Sequence, residues 1–134
     1  MFDEISPQGA FDALKDNPEA QLIDCRTQAE WSYVGLPDIS SIDKKLICLE
    51  WVSLEGQPNT QFAAQIGAHF DAQTPLYIIC RSGARSAAAC AALAQAGFSA
   101  LFNVTGGFEG DMNPDGHRGT LNGWKASGLP WRQS

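Results

Sequence analysis

Leu76-Tyr77-Ile78-Ile79-Cys80-Arg81-Ser82-Gly83-Ala84-Arg85-Ser86 is the stretch that decides the reading of this chain. Four apolar residues lead into a thiol, then a Gly-containing turn, then an Ala-rich run from Ser86 to Ala96 that stops at Gly97. That order is strand, loop, helix: Ala favours the helix, Ser86 suits its cap and Gly97 its end. The free amides and positive dipole end of such a helix favour an anion at its start, where Cys80 sits. With Arg81 and Arg85 alongside, the Cys80 thiol is expected to fall from ~8.5 into a range of roughly 3.5 to 7.5, which makes it a nucleophile at neutral pH. Gly83 is expected to supply an unusual backbone angle, and Ser82, Ala84 and Ser86 to allow close approach of the backbone.

Outward from this unit, short apolar runs alternate with helical segments. Glu4-Ile5-Ser6, Leu22-Ile23-Asp24, Leu46-Ile47-Cys48-Leu49 and Ala100-Leu101-Phe102-Asn103 read as further strands. The longer runs are apolar at successive positions, which suits parallel strands covered on both faces and therefore an α/β fold. Between them, Pro7 to Asp16 is predicted as a helix capped by Ser6, and Thr27-Gln28-Ala29-Glu30 has the form of a capping box. Asn59 is expected to cap an amphipathic helix over Thr60 to Phe70, and Leu121 to Ser127 to form a last helix before Gly128. Gly110 to Gly119, rich in Asp, Asn and Gly, reads as a loop.

At 134 residues the chain fits one domain, residues 1–134, and its 44% hydrophobic content is enough for a real core. The formal charge of −6, without clustered Lys and Arg, points away from nucleic acid and anionic membrane as partners. No signal-peptide pattern or apolar span is present, so the expected location is cytoplasmic. The cysteines at 25, 48, 80 and 90 lack metal-ligand spacing, and no metal or cofactor is expected. Cys25, Cys48 and Cys90 lie in apolar or Ala-rich runs typical of buried thiols. The tryptophans at 31, 51, 124 and 131 are expected to pack rather than to stack on a ligand.

A Cys, a Gly turn and an Arg serve either phosphoryl-cysteine chemistry or sulfur transfer, and loop size separates the two. Phosphatase loops place Arg six positions after Cys to grip a tetrahedral oxyanion, whereas here Arg85 comes five positions after Cys80 and position 86 is Ser. The tighter turn is sized for one sulfur atom and favours a persulfide, with phosphatase or arsenate reductase chemistry as the lesser reading. The backbone amides from Arg81 to Ser86 then stabilise the persulfide anion, provided that they share a focus and that the Cys80 side chain is open to solvent. Arg81 and Arg85 either attract an anionic donor or brace the loop through carboxylates. Asp24, Arg26 and Glu30 gather charge at the same rim and read better as support: Arg26 and Glu30 have helix-turn spacing for an ion pair, and Asp24 can accept amides from a neighbouring loop.

With these motifs in order, the chain resembles the rhodanese-like single-domain sulfurtransferases over most of its length. Leu22-Ile23-Asp24-Cys25-Arg26 with Glu30-Trp31 is similar to the family's Asp-Val-Arg...Glu-(Trp/Phe) signature, and Cys80 to Ser86 to its active-site loop. Gly97-Phe98, Gly106-Gly107 and Gly128-Leu129-Pro130-Trp131 follow its later pattern. Gly35-Leu36-Pro37-Asp38-Ile39 departs from the family's Gly-His-Ile-Pro-Gly-Ala turn, and Gly110 to Gly119 is longer than in many relatives, placed to overhang the site and restrict acceptors. The resemblance implies a five-stranded parallel sheet flanked by helices on both faces. It also implies a sulfurtransferase in which Cys80 takes sulfane sulfur from thiosulfate or a related donor and passes it to a thiol, cyanide or protein acceptor. A sulfur-carrier or regulatory domain with a protein acceptor is the alternative. The implied strand order makes Cys25 a neighbour of Cys80, as a plain core cysteine or, less simply, as a thiol able to resolve Cys80 in a disulfide.

Overall fold

The alternation of apolar runs and helices becomes a parallel sheet because each crossover returns the chain to the same edge of its strand. The computed structural model describes residues 1–133. In chain order its strands are β1 (Asp3–Ile5), β2 (Gln21–Asp24), β3 (Leu36–Pro37), β4 (Ile47–Cys48), β5 (Leu76–Ile79), β6 (Leu101–Val104) and β7 (Trp131–Arg132). The helices are α1 (Pro7–Asp16), α2 (Gln28–Tyr33), α3 (Phe62–Gly67), α4 (Ala84–Gln95) and α5 (Gly123–Ala126). Five strands form one parallel sheet in the order β1-β6-β5-β2-β4, and β3 pairs with β7 in a small antiparallel ribbon.

The central strands β2 and β5 are buried on both faces. Ile23 and Ile78 enter one core with Phe62, Ile66, Leu93 and Phe98, while Leu22, Tyr77 and Ile79 enter the other with Leu14, Phe108 and Trp124. This two-faced burial is why the strands read as unbroken apolar runs. Truncating Ile78, which is fully buried, to Ala removes about 2–5 kcal/mol.

Local signals fix the helix starts. Ser6 Oγ accepts from the Gly9 amide at 3.0 Å with Pro7 in the first turn, and Thr27 with Glu30 forms the expected capping box. Elsewhere the elements are shorter or shifted. The helix expected over Thr60 to Phe70 spans only Phe62–Gly67, because Asn59 Oδ1 accepts from Gln61 N and holds a preceding turn. The last helix is Gly123–Ala126. Cys48, expected to be buried, is exposed: β4 is a two-residue strand at the sheet edge, and among the described residues no strand pairs with its outer side. Trp131 likewise is 41% exposed, with the Lys125 ammonium 4.0 Å above its ring, whereas Trp124 is fully buried.

The register places the chemistry. Asp24 pairs with Ile79 at the carboxyl ends of β2 and β5, and the Cys25 amide donates to the Ile79 carbonyl at 3.0 Å. Cys25 and Cys80 therefore leave the sheet side by side, at the edge where loops of parallel sheets form ligand sites.

Candidate active site

Cys80 directly follows β5, and α4 begins four residues later. Gly83, not Ser86, is the N-cap: its φ of 115° lies in the left-handed region that glycine adopts freely, so the chain turns at once from strand to helix. Ser86 thus lies inside α4, where its hydroxyl meets Cys80 Sγ at 3.2 Å and donates to the Gly83 carbonyl at 3.2 Å and to Asn103 Oδ1. The Gly83 amide donates to Cys80 Sγ at 3.1 Å.

These contacts hold the Cys80 thiol well down, at about 5 against an ordinary 9.0. The Cys25 thiol beside it is the largest cause; burial opposes; the Ser86 hydroxyl, the Ser86 amide and the Gly83 amide add to the lowering. Cys25 moves the opposite way, well above the ordinary thiol value, through that same contact and its own burial. The low value expected for Cys80 is therefore present, but local donors cause it more than the flanking arginines do.

The Cys80 side chain is only 1% exposed, contrary to the expectation of a thiol open to solvent. Donors from the loop and α4 enclose the sulfur because the turn is tight. A cleft of about 510 Å³ lies against the loop's two arginines, lined among others by Thr27, Glu30, Leu54, Arg81, Arg85 and Arg118; Cys80 itself is not in its lining.

The two loop arginines differ in their partners. Arg85 braces: its Nη1 and Nη2 donate to Glu30 Oε1 and Oε2 at 2.7 and 2.8 Å, tying α4 to α2. Burial acts to raise the Glu30 carboxyl, but the Arg85 hydrogen bonds, the Thr27 amide and the Arg85 charge hold it down at about 2. Arg81 is exposed on the cleft and makes no ion pair among the described residues.

The expected pair between Arg26 and Glu30 does not form. Arg26 precedes the cap of α2, so helical spacing does not apply, and its guanidinium turns back onto Asp24, with Nε 2.9 Å from Oδ1 and Nη2 2.7 Å from Oδ2. Asp24 accepts the Arg26 amide of its own turn rather than amides of a neighbouring loop. Both side chains are fully buried, and Arg26 also donates to the Gly35 carbonyl at 2.8 Å and lies 4.4 Å from the Phe108 ring centroid. The pair is structural, and removing one partner of such a buried pair costs about 3–5 kcal/mol.

Two features of the site lay outside the sequence reading: the backbone contacts of Gly107 to Gly110, and Arg118 within the insertion expected to overhang the site. Gly107 to Gly110 form a backbone splint under the active-site loop: Phe108 N donates to the Cys80 carbonyl at 2.7 Å, and Glu109 N and Gly110 N to the Arg81 carbonyl at 2.9 and 3.1 Å. Gly107 has a φ of 60°, and a Cβ there would meet the Cys80 carbonyl oxygen and lie 2.6 Å from Arg81 C. The Gly110–Gly119 segment grows from this splint and brings Arg118 to the cleft, where its Nη1 donates to the Gly110 carbonyl at 2.6 Å. The only sequence signal for this was the length of the polar insertion. Among the described residues no cluster of His, Cys, Asp or Glu is placed to hold a metal ion, and no helix is long and apolar enough to cross a membrane.

The family model described as the STR4 middle domain matches residues 2–134. An uncharacterized protein, RP600, of Rickettsia prowazekii is 35% identical over 134 residues, covering 98% of each chain. A sulfurtransferase of Allochromatium vinosum is 30% identical over 107 residues, covering 80% of this chain and 85% of that one. Among solved structures, Rv0390 from M. tuberculosis superposes with a TM-score of 0.92 at 41% identity over the whole of both chains. With its five-stranded parallel sheet and loop-borne cysteine, the chain belongs to the rhodanese-like STR4 middle domain family, which has sulfurtransferases among its relatives.

Proposed function

We propose that the protein is a sulfurtransferase working through a persulfide on Cys80. The observation that carries this reading is the setting of Cys80 Sγ, 3.1 Å from the Gly83 amide and 3.2 Å from the Ser86 hydroxyl, with its thiol held at about 5. The Cys80 thiolate attacks the outer sulfur of thiosulfate or a related donor; the S–S bond of the donor breaks, sulfite leaves with the bonding pair, and Cys80 carries S–S⁻. A thiophilic acceptor such as cyanide then takes the outer sulfur and restores the thiolate. Arg81 and Arg118 on the cleft draw in the anionic donor, and the loop amides stabilise the charge on the persulfide. Because Cys80 is 1% exposed, the condition that its side chain be open to solvent is met only when side chains of the loop move aside, which restricts reactants to compact sulfur species or to a partner that opens the loop.

The exposed Tyr33 and Leu54 beside the cleft favour a second reading, a sulfur carrier whose acceptor is another protein. Turnover separates the two: brisk thiosulfate:cyanide activity supports the enzyme, whereas stoichiometric loading with negligible turnover supports the carrier. In either case Cys80→Ala and Cys80→Ser are expected to abolish sulfur uptake, and a variant retaining the wild-type rate would end the proposal.

A further inference from the structure

Cys25 is a nucleophilic group that the transfer reaction above does not use. It lies one residue past Asp24, as Cys80 lies one past Ile79, and Asp24 and Ile79 are register partners on adjacent parallel strands. Neighbouring strands run about 4.8 Å apart, inside the roughly 4.4–6.8 Å that Cα atoms of a disulfide span. Both side chains enter the core face that Ile23 and Ile78 occupy two residues earlier, and both cysteines are free. Cys25 has no exposure, so the neighbour within its reach is Cys80 rather than anything in solvent.

We propose that Cys25 resolves the Cys80 persulfide, forming a Cys25–Cys80 disulfide and releasing hydrosulfide. The Cys25 sulfur attacks the inner sulfur of Cys80–S–S⁻; the Cys25–Cys80 S–S bond forms as the bond to the outer sulfur breaks. The bonding pair and the Cys25 proton leave with that sulfur as HS⁻. Cys25 is oxidised and the sulfane sulfur is reduced, so the step needs no outside oxidant. An external dithiol then reopens the disulfide by exchange, and the sum is conversion of thiosulfate and a dithiol into sulfite, sulfide and a disulfide. Because Cys25 is already in contact, it competes with acceptors that must diffuse in. Its raised pKa keeps it a slow nucleophile, leaving the persulfide time to meet an acceptor.

This inference rests on Cys80 accepting sulfur, and one anaerobic experiment separates the two ideas. The full chain is incubated with thiosulfate and no acceptor, sulfite and sulfide are measured, and peptides are mapped without reduction. The wild type is expected to release sulfite and sulfide in equal amounts, up to one equivalent per chain, and to yield a Cys25–Cys80 linked peptide; adding a dithiol makes sulfide release continuous. Cys25→Ser, whose hydroxyl keeps a hydrogen-bond donor beside Cys80, is expected to release sulfite more slowly than the wild type, because the contact that most lowers the Cys80 thiol is altered, but to release no sulfide and to retain the added sulfur on Cys80. Sulfite release by the wild type with a persistent persulfide and no linked peptide overturns the role of Cys25 and leaves sulfur transfer standing. No sulfite from the wild type removes both.

Discussion

Replacing Ser86 by Ala is expected to raise the midpoint of Cys80 ionisation by about one pH unit. The wild-type thiol at about 5 is ~99% ionised at pH 7, whereas an ordinary thiol at 9.0 is ~1% ionised. The Ser86 hydroxyl has one proton and three acceptors: Cys80 Sγ, the Gly83 carbonyl and Asn103 Oδ1. Asn103 cannot release it by rotating its amide, because its Nδ2 already donates to Glu4 Oε2 at 2.9 Å. The thiolate therefore shares the proton, and its hydrogen bond belongs at the low end of the charge-assisted range, about 1.5 kcal/mol. At about 1.4 kcal/mol per pH unit, that is a displacement of about one unit. The assay is the rate of iodoacetamide addition to Cys80 against pH, read by intact mass in a Cys48→Ser background, since Cys48 is exposed and would also react. Thiolate stabilised in the fold means reactivity that is flat at neutral pH and falls about tenfold per unit below the midpoint near 5. A wild-type midpoint at 8.5–9 would refute the reasoning, as would a midpoint unmoved by Ser86→Ala.

Three further outcomes test the surroundings of the sulfur. Glu30→Gln, which breaks the bidentate pair with Arg85, is expected to lower unfolding free energy by about 1–2 kcal/mol at neutral pH, measured by urea denaturation. Since the folded Glu30 carboxyl sits at about 2, below its ordinary 4.5, this contribution is complete above pH 4.5 and is lost as pH falls towards 2; a difference that persists unchanged at pH 2 contradicts the assignment. Arg118→Ala is expected to raise KM for thiosulfate about three- to tenfold with little change in kcat, and Arg118→Lys to restore part of it, as for loss of a partly exposed charge; an unchanged KM removes Arg118 from donor binding. Gly107→Ala is expected to cost about 2–4 kcal/mol of stability and most of the activity, because its Cβ collides with the backbone of Cys80 and Arg81, and a wild-type urea midpoint would show that the splint yields.

What the sequence revealed was local. The run Leu76–Ile79 and the Ser6 and Thr27 caps each signal their structure within a few neighbouring residues and stand where the sequence places them, whereas the turn after Cys80 gives way to helix at Ala84, before the expected start at Ser86. The pair Arg85–Glu30 spans 55 positions, and no periodicity connects them; the helix-spacing rule instead suggested Arg26, which lies outside the helix. The strands β3 and β7 have two residues each, too few to show alternation. The enclosure of Cys80 follows from where Gly83 and Ser86 fall in three dimensions, with Gly83 taking the cap position that composition had assigned to Ser86. Arg118 reached the cleft only through the docking of Glu109 and Gly110 on the Arg81 carbonyl.

The central claim is that Cys80 carries a sulfur atom, and intact mass after brief incubation of the Cys25→Ser protein with thiosulfate tests it most directly. The account predicts one added sulfur, mapped to Cys80, removed by cyanide with formation of thiocyanate, and missing when Cys80 is also replaced by Ala. An unchanged mass, or an added sulfur that survives replacement of Cys80, would contradict it.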